Sequence, residues 1–141
     1  KRLFSSPQGL LIPLCQAGDC TLREAVVVAS VLKRVSLPAL HAAAALLRLA
    51  SLPYAGTTSF FVRVLLDKRY ALPYRVVDGL VDHFTSFRAD ARQLPVVWHQ
   101  SLLCFVQRYG HEVRDEDREG LKALCRVQYH HAVTPEVQRA L

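Results

Sequence analysis

At 141 residues and 15.8 kDa the chain has the size of one domain, and its 51% hydrophobic and 21% charged content suits a continuous core. That composition excludes disorder throughout, and the longest charge-free apolar stretch, the 13 residues between Arg34 and Arg48 with Pro38 and His41 inside it, falls short of the roughly 20 that a membrane span needs. The formal charge is +6, and arginine supplies 14 of the 18 basic residues, a planar donor fork suited to phosphate or to acidic protein surfaces.

The chain has no methionine and opens on Lys1-Arg2, so it reads as part of something longer. Leu-Pro pairs punctuate it at Leu37-Pro38, Leu52-Pro53, Leu72-Pro73 and Leu94-Pro95, with Ile12-Pro13 a weaker relative. Proline is tolerated where a helix starts and disrupts a helix interior, so each pair predicts one helix ending and another beginning. Thr21-Leu22-Arg23-Glu24 reads as a capping box that opens a helix running to about Val35 through Val26-Val27-Val28. An Ala/Leu-rich helix follows from about Pro38 to Ala50, where Ala42 to Ala45 permit close approach of a neighbour. Between Thr57 and Tyr70 the residues Phe61, Val64, Leu65 and Lys68 share a stripe, and Arg63 and Asp67 are spaced to pair along the helix. After Pro73 the inward face is Val77, Leu80, Val81, Phe84 and Phe87, and after Pro95 it is Trp98, Leu102, Phe105, Val106 and Tyr109, with Gly110 as the expected stop. A helix from about Asp115 to Gln128 turns Leu121, Leu124 and Cys125 inward, its first-turn acids favouring the helix dipole, and Thr134-Pro135 starts a short last one.

No run alternates at period two, and no Asn-Gly or Asp-Gly turn separates apolar segments. The expected fold is all-α: an irregular solenoid-like stack of about seven or eight antiparallel helices forming a single domain over residues 1–141, with a compact orthogonal bundle as the alternative. Cys15, Cys20, Cys104 and Cys125 are dispersed, which predicts reduced thiols in an intracellular protein rather than a disulfide framework or a zinc finger.

The signatures of catalysis are missing from the sequence. Its six glycines form no phosphate loop, and neither a G-x-S-x-G elbow nor a His-Glu-x-x-His motif occurs. Asp78 and Asp82 share a helical face, but Arg75 one turn earlier makes a surface ion-pair ladder the simpler expectation. His41, His83 and His99 read as hydrogen-bonded, half-buried helical residues. No enzyme activity, metal or cofactor is expected.

Charge is concentrated early, with 13 basic and six acidic residues up to position 110, against five and six beyond it. Lys68, Arg69 and Arg75 gather around one interhelical corner with Tyr70 and Tyr74 interleaved. Cations hold phosphates and tyrosine rings stack on unpaired bases, a combination used in RNA recognition. The structural alternative has the tyrosines packing the corner and the cations capping helix C-termini, as Lys33, Arg34 and Arg108 also could.

From Leu65 to Asp78 this corner closely resembles the C-terminal region of the bystin (essential nuclear protein) family. So do the runs Leu10–Cys15, Cys20–Ala25, Leu37–Leu47, Leu94–Gln100, Val106–Tyr109 and Thr134–Val137, in order along the chain. The acidic stretch from Gly110 to Glu119 and the single Arg139 near the end depart from the family's pattern. The resemblance implies a non-enzymatic ribosome biogenesis factor, a helical scaffold in assembly of the small (40S) subunit and processing of its 18S rRNA precursor. The implied partners are precursor rRNA of the small subunit, a beak ribosomal protein and an export-linked assembly factor, without a membrane. The implied location is nucleus and nucleolus, with shuttling to the cytoplasm on the precursor particle. Candidate RNA contacts are Lys33, Arg34, Arg63, Lys68, Arg69, Arg75 and Arg108. The rival expectation is a protein-only, peptide-binding adaptor without direct RNA contact; the oligomeric state stays open.

Overall fold

The computed structural model describes residues 22–141. Seven α-helices are found there: α1 (Leu22–Arg34), α2 (Ala39–Ser51), α3 (Thr58–Asp67), α4 (Tyr74–Thr85), α5 (Val96–Tyr109), α6 (Asp115–Val127) and α7 (Thr134–Ala140). Short 3-10 turns, Ser86–Ala89 and Gly110–Glu112, extend α4 and α5, and no strand occurs among the described residues. None of the helices is long and apolar enough to cross a membrane.

Leu-Pro works as a two-part device. Pro38, Pro73 and Pro95 are the N-caps of α2, α4 and α5, each in extended backbone, and their carbonyls accept the first helical hydrogen bonds. The preceding Leu37, Leu72 and Leu94 are buried, so each pair ends one helix by sinking a side chain into the core and starts the next with a fixed φ. Leu52-Pro53 differs: Leu52 caps the end of α2, and α3 begins five residues after Pro53. The proposed capping box rests on Thr21, outside the described residues, as are Ile12-Pro13, Cys15 and Cys20.

The helices pack one against the next but one: α1 on α3, α3 on α5, α5 on α7, and α2 on α4, α4 on α6. Two layers result. In the first, Lys68 just after α3 bonds the carbonyl of Val35 just after α1, and Asp67 at the end of α3 meets Arg108 at the end of α5, so these helices run parallel. In the second, Gly79 of α4 lies against Leu47 of α2 and His83 hydrogen-bonds Ala50, the same parallel order. Gly79 eases this approach: a Cβ there would sit 2.6 Å from Leu47 Cδ1, so any side chain would push the Leu47 tip aside. Successive helices are antiparallel, and the stack is solenoid-like, as expected. The inward faces expected for α4, α5 and α6 are buried, with Trp98, Phe84 and Phe105 fully enclosed between the layers.

Four local expectations are corrected or refined. Arg63 and Asp67 do not pair along α3, because both reach across to α5: Arg63 Nη1 donates to Gln100 Oε1 at 2.9 Å and Asp67 accepts from Arg108 at 2.7 Å. The Arg75–Asp78–Asp82 ladder does not form; Asp78 instead lies where its charge acts on Arg114 at the start of α6. Gly110 ends α5 as expected, but with a right-handed φ of −57 that leads into a 3-10 turn rather than the left-handed conformation of a glycine C-cap. Lastly, His83 and His99 are buried, but His41 in the first turn of α2 is exposed.

Candidate nucleic-acid interface

The layer geometry dictates where the cations go. The helices of the first layer end, and those of the second begin, along one edge, so the corners α1–α2, α3–α4 and α5–α6 line up there. Hydrogen bonds lace the corners together. Lys68 Nζ donates to Val35 O at 2.5 Å, Leu37 N–H donates to the Tyr70 hydroxyl at 3.2 Å, and the Tyr109 hydroxyl donates to Tyr70 O at 2.6 Å. Burial chiefly pushes the Tyr109 phenol up to about 12, so it remains a proton donor at neutral pH.

Lys33, Arg34, Lys68, Arg69, Arg75 and Arg108 all fall on this edge, brought from three helix ends and one helix start. Arg63 sits one turn further into the first layer. Their states differ. The side chains of Lys33, Arg34, Arg69 and Arg75 are exposed and make no hydrogen bond or ion pair among the described residues, although the Arg69 charge helps to lower the Asp67 pKa. Lys68 braces α1 while half-exposed, and Arg108 is held by Asp67, whose carboxyl is pulled below its usual range by that hydrogen bond. Arg69 has a φ of 61, the one positive φ of a non-glycine among the described residues. It ends α3 at Asp67, three residues before the expected Tyr70, because a left-handed residue cannot continue a right-handed helix.

The two tyrosines divide the roles considered for them. Tyr70 packs against the core and its polar atoms brace the edge, as the structural alternative expected. Tyr74, the first residue of α4, is 77% exposed. Leu40 in the first turn of α2 is exposed to the same 77% on the same edge, which the helical period did not signal.

Beside the edge, between α1 and α3, a groove of about 470 Å³ is lined by Phe60 and Val64 together with Lys33, Arg63, Lys68 and the Asp67 carboxylate. The helices of the first layer carry six basic and three acidic residues, those of the second five and six, with the acids concentrated at the start of α6.

A family model described as Bystin matches residues 4–141. The chain belongs to the bystin family. It is 56% identical to bystins of Monosiga brevicollis and Arabidopsis thaliana and 52% identical to that of Homo sapiens, each over 134 residues and 95% of this chain. Those 134 residues are 32%, 30% and 31% of the respective relatives, so the chain spans about a third of their length.

In this bystin-family region no group of three or more His, Cys, Asp or Glu side chains is placed to hold a metal among the described residues. Cys104 and Cys125 are unbridged thiols, both pushed above their ordinary pKa by burial. Burial likewise holds His83 and His99 at about 4, so both are neutral at pH 7. Two residues that the sequence reading passed over shape the edge. Arg114 caps α6 but is paired with Asp117 at 3.1 Å, and Arg118 donates to the carbonyls of Gly110 and Leu141. For Arg118 no local signal exists, since its acceptors lie eight and 23 residues away.

Proposed function

We propose that this chain is part of a non-enzymatic scaffold for small (40S) ribosomal subunit assembly and 18S rRNA precursor processing, and that its corner edge binds precursor rRNA. One observation carries the RNA reading: helix ends distant in sequence deliver six cations to a single edge, and the side chains of four of them, Lys33, Arg34, Arg69 and Arg75, are exposed and make no hydrogen bond or ion pair among the described residues. Unneutralised guanidinium groups release counterions when they meet phosphates, whereas an ion-paired arginine must first give up its carboxylate. The strongest phosphate contacts are therefore Arg34, Arg69 and Arg75, with Lys33 and Lys68 beside them and Arg63 and Arg108 contributing less. Membership of the bystin family supports the setting: nucleus and nucleolus, transit to the cytoplasm on the precursor particle, and a beak ribosomal protein and an export-linked factor as protein partners.

The test is the salt dependence of binding to a beak-region rRNA fragment, followed by fluorescence anisotropy. Replacing Arg34, Arg69 and Arg75 together by Gln lowers the log-log salt slope by roughly two to three units, close to one per phosphate contact. An unaltered slope removes the edge from the interface. A second reading, the protein-only adaptor, draws on the groove between α1 and α3, whose apolar Phe60 and Val64 and cationic Lys33, Arg63 and Lys68 suit an acidic amphipathic peptide. Partners that remain after nuclease treatment, and are lost on Phe60→Ser, favour that reading.

A further inference from the structure

We propose that the α3–α4 corner is a site for one unpaired ribonucleotide, its base laid on the Tyr74 ring and its flanking phosphates held by Arg69 and Arg75; this rests on the RNA-binding reading above and specifies its substrate. Tyr74 exposes 77% of its surface although it follows directly on the buried Leu72 and on Pro73, whose φ is fixed at −60. The ring thus stands on a rigid base with its flank open to solvent, so a partner that covers it meets little ordering cost. Arg75 is its neighbour in sequence and Arg69 lies five residues before it, both exposed and with no ion pair or hydrogen bond to the side chain among the described residues. Tyr70, in the same corner, is braced into the core and cannot play this part.

The backbone adds an independent observation. Arg69 occupies the left-handed region, where glycine would sit without steric penalty. The chain instead keeps a large cation at the one strained non-glycine position among the described residues, in the same corner as Tyr74. The nearby Asp67 carboxylate, which the Arg69 charge helps to stabilise, already accepts its hydrogen bond from Arg108. Strain held at a surface corner with no hydrogen bond to the Arg69 side chain thus points to a ligand outside the chain.

Ring and guanidinium together select the ligand. In an A-form duplex the base faces are covered by their neighbours, so a tyrosine ring has nothing to stack on, whereas a loop, bulge or single strand offers an open face between two phosphates. Stacking accepts any base, so the site discriminates unpaired from paired RNA without reading sequence.

The experiment compares two probes with the full-length chain: a single-stranded 12-nucleotide RNA containing 2-aminopurine, and a fully paired RNA duplex with the same number of phosphates. The intact chain prefers the single strand and changes the 2-aminopurine emission on binding. Tyr74→Ser weakens single-strand binding about tenfold and abolishes the emission change while leaving duplex binding unaltered, and Tyr74→Phe keeps both the affinity and the emission change. Tyr70→Phe, which alters the brace instead, keeps the single-strand preference. If Tyr74→Ser affects neither probe, or both equally, the nucleotide site is overturned while the cationic edge stands. If neither probe responds to loss of Arg34, Arg69 and Arg75, the RNA reading itself falls.

Discussion

The α3–α4 and α5–α6 corners occupy equivalent places on one edge, each joining a first-layer helix to a second-layer helix, yet they meet solvent in opposite ways. At α3–α4, the side chains of Arg69 and Arg75 make no hydrogen bond or ion pair among the described residues and share the corner with the exposed Tyr74. At α5–α6, Arg114 is held by Asp117 and lies 3.9 Å from Glu116, His111 lies beside Glu112, and the Arg118 guanidinium turns inward onto two carbonyls. The number of arginines is similar; their partners are not. A cation marks a docking surface when the chain leaves it without a carboxylate, and acids in the first turn of a following helix are enough to close a corner.

Acid gives the largest effect, and it checks that the corners differ at their surfaces rather than in the core beneath. His83 lies against Phe84 and Phe87, and His99 against Trp98 and His130. Their pKa values, lowered from 6.5 to about 4, mean that the unfolded chain binds protons first. Stability is therefore complete above about pH 6.5 and falls as pH drops towards 4, by about 3 kcal/mol from His83 alone. Thermal melts across that range should show one cooperative loss, and His83→Asn should flatten it. Next is the closed corner's clamp. Arg118→Met strands the carbonyls of Gly110 and Leu141 and should cost about 2 kcal/mol in denaturant unfolding, with RNA affinity unmoved.

Smaller effects invert the usual rule for glycine. Arg69→Gly should stabilise the fold by about 1 kcal/mol while weakening RNA binding, because it relieves a left-handed residue and deletes a cation. Gly110→Ala should also stabilise, by about 0.5 kcal/mol, because that backbone is right-handed and a Cβ would meet Val106 Cγ1 at an ordinary 3.6 Å. The smallest change sharpens the contrast itself. Replacing Glu116 and Asp117 by Gln and Asn frees Arg114 and should raise RNA affinity about twofold, the order expected from one extra exposed cation.

Much of the fold was legible. The inward face of α4 from Val77 to Phe84 follows a 3.6-residue period that needs only the helix itself to be read, and Pro38, Pro73 and Pro95 mark helix starts through their own fixed φ. The edge was legible as a list of cations but not as a surface. Arg63 and Asp67 have the spacing of a local pair, yet α5 presents Gln100 and Arg108 and both side chains turn that way. Tyr70 and Tyr74 look alike in sequence, and it is the Leu37 N–H, 33 residues earlier, that holds the Tyr70 hydroxyl in the brace.

The amino-acid sequence by itself determined the helices, their proline-marked ends, the buried stripes and the bystin-family membership, because each is written in short-range order or in residue identity. The tertiary structure alone decided which cations are neutralised, which tyrosine faces solvent and which residue takes the left-handed turn. Those outcomes depend on atoms that meet only when the layers stack, across separations such as the 41 residues between Asp67 and Arg108. No local pattern can carry that information.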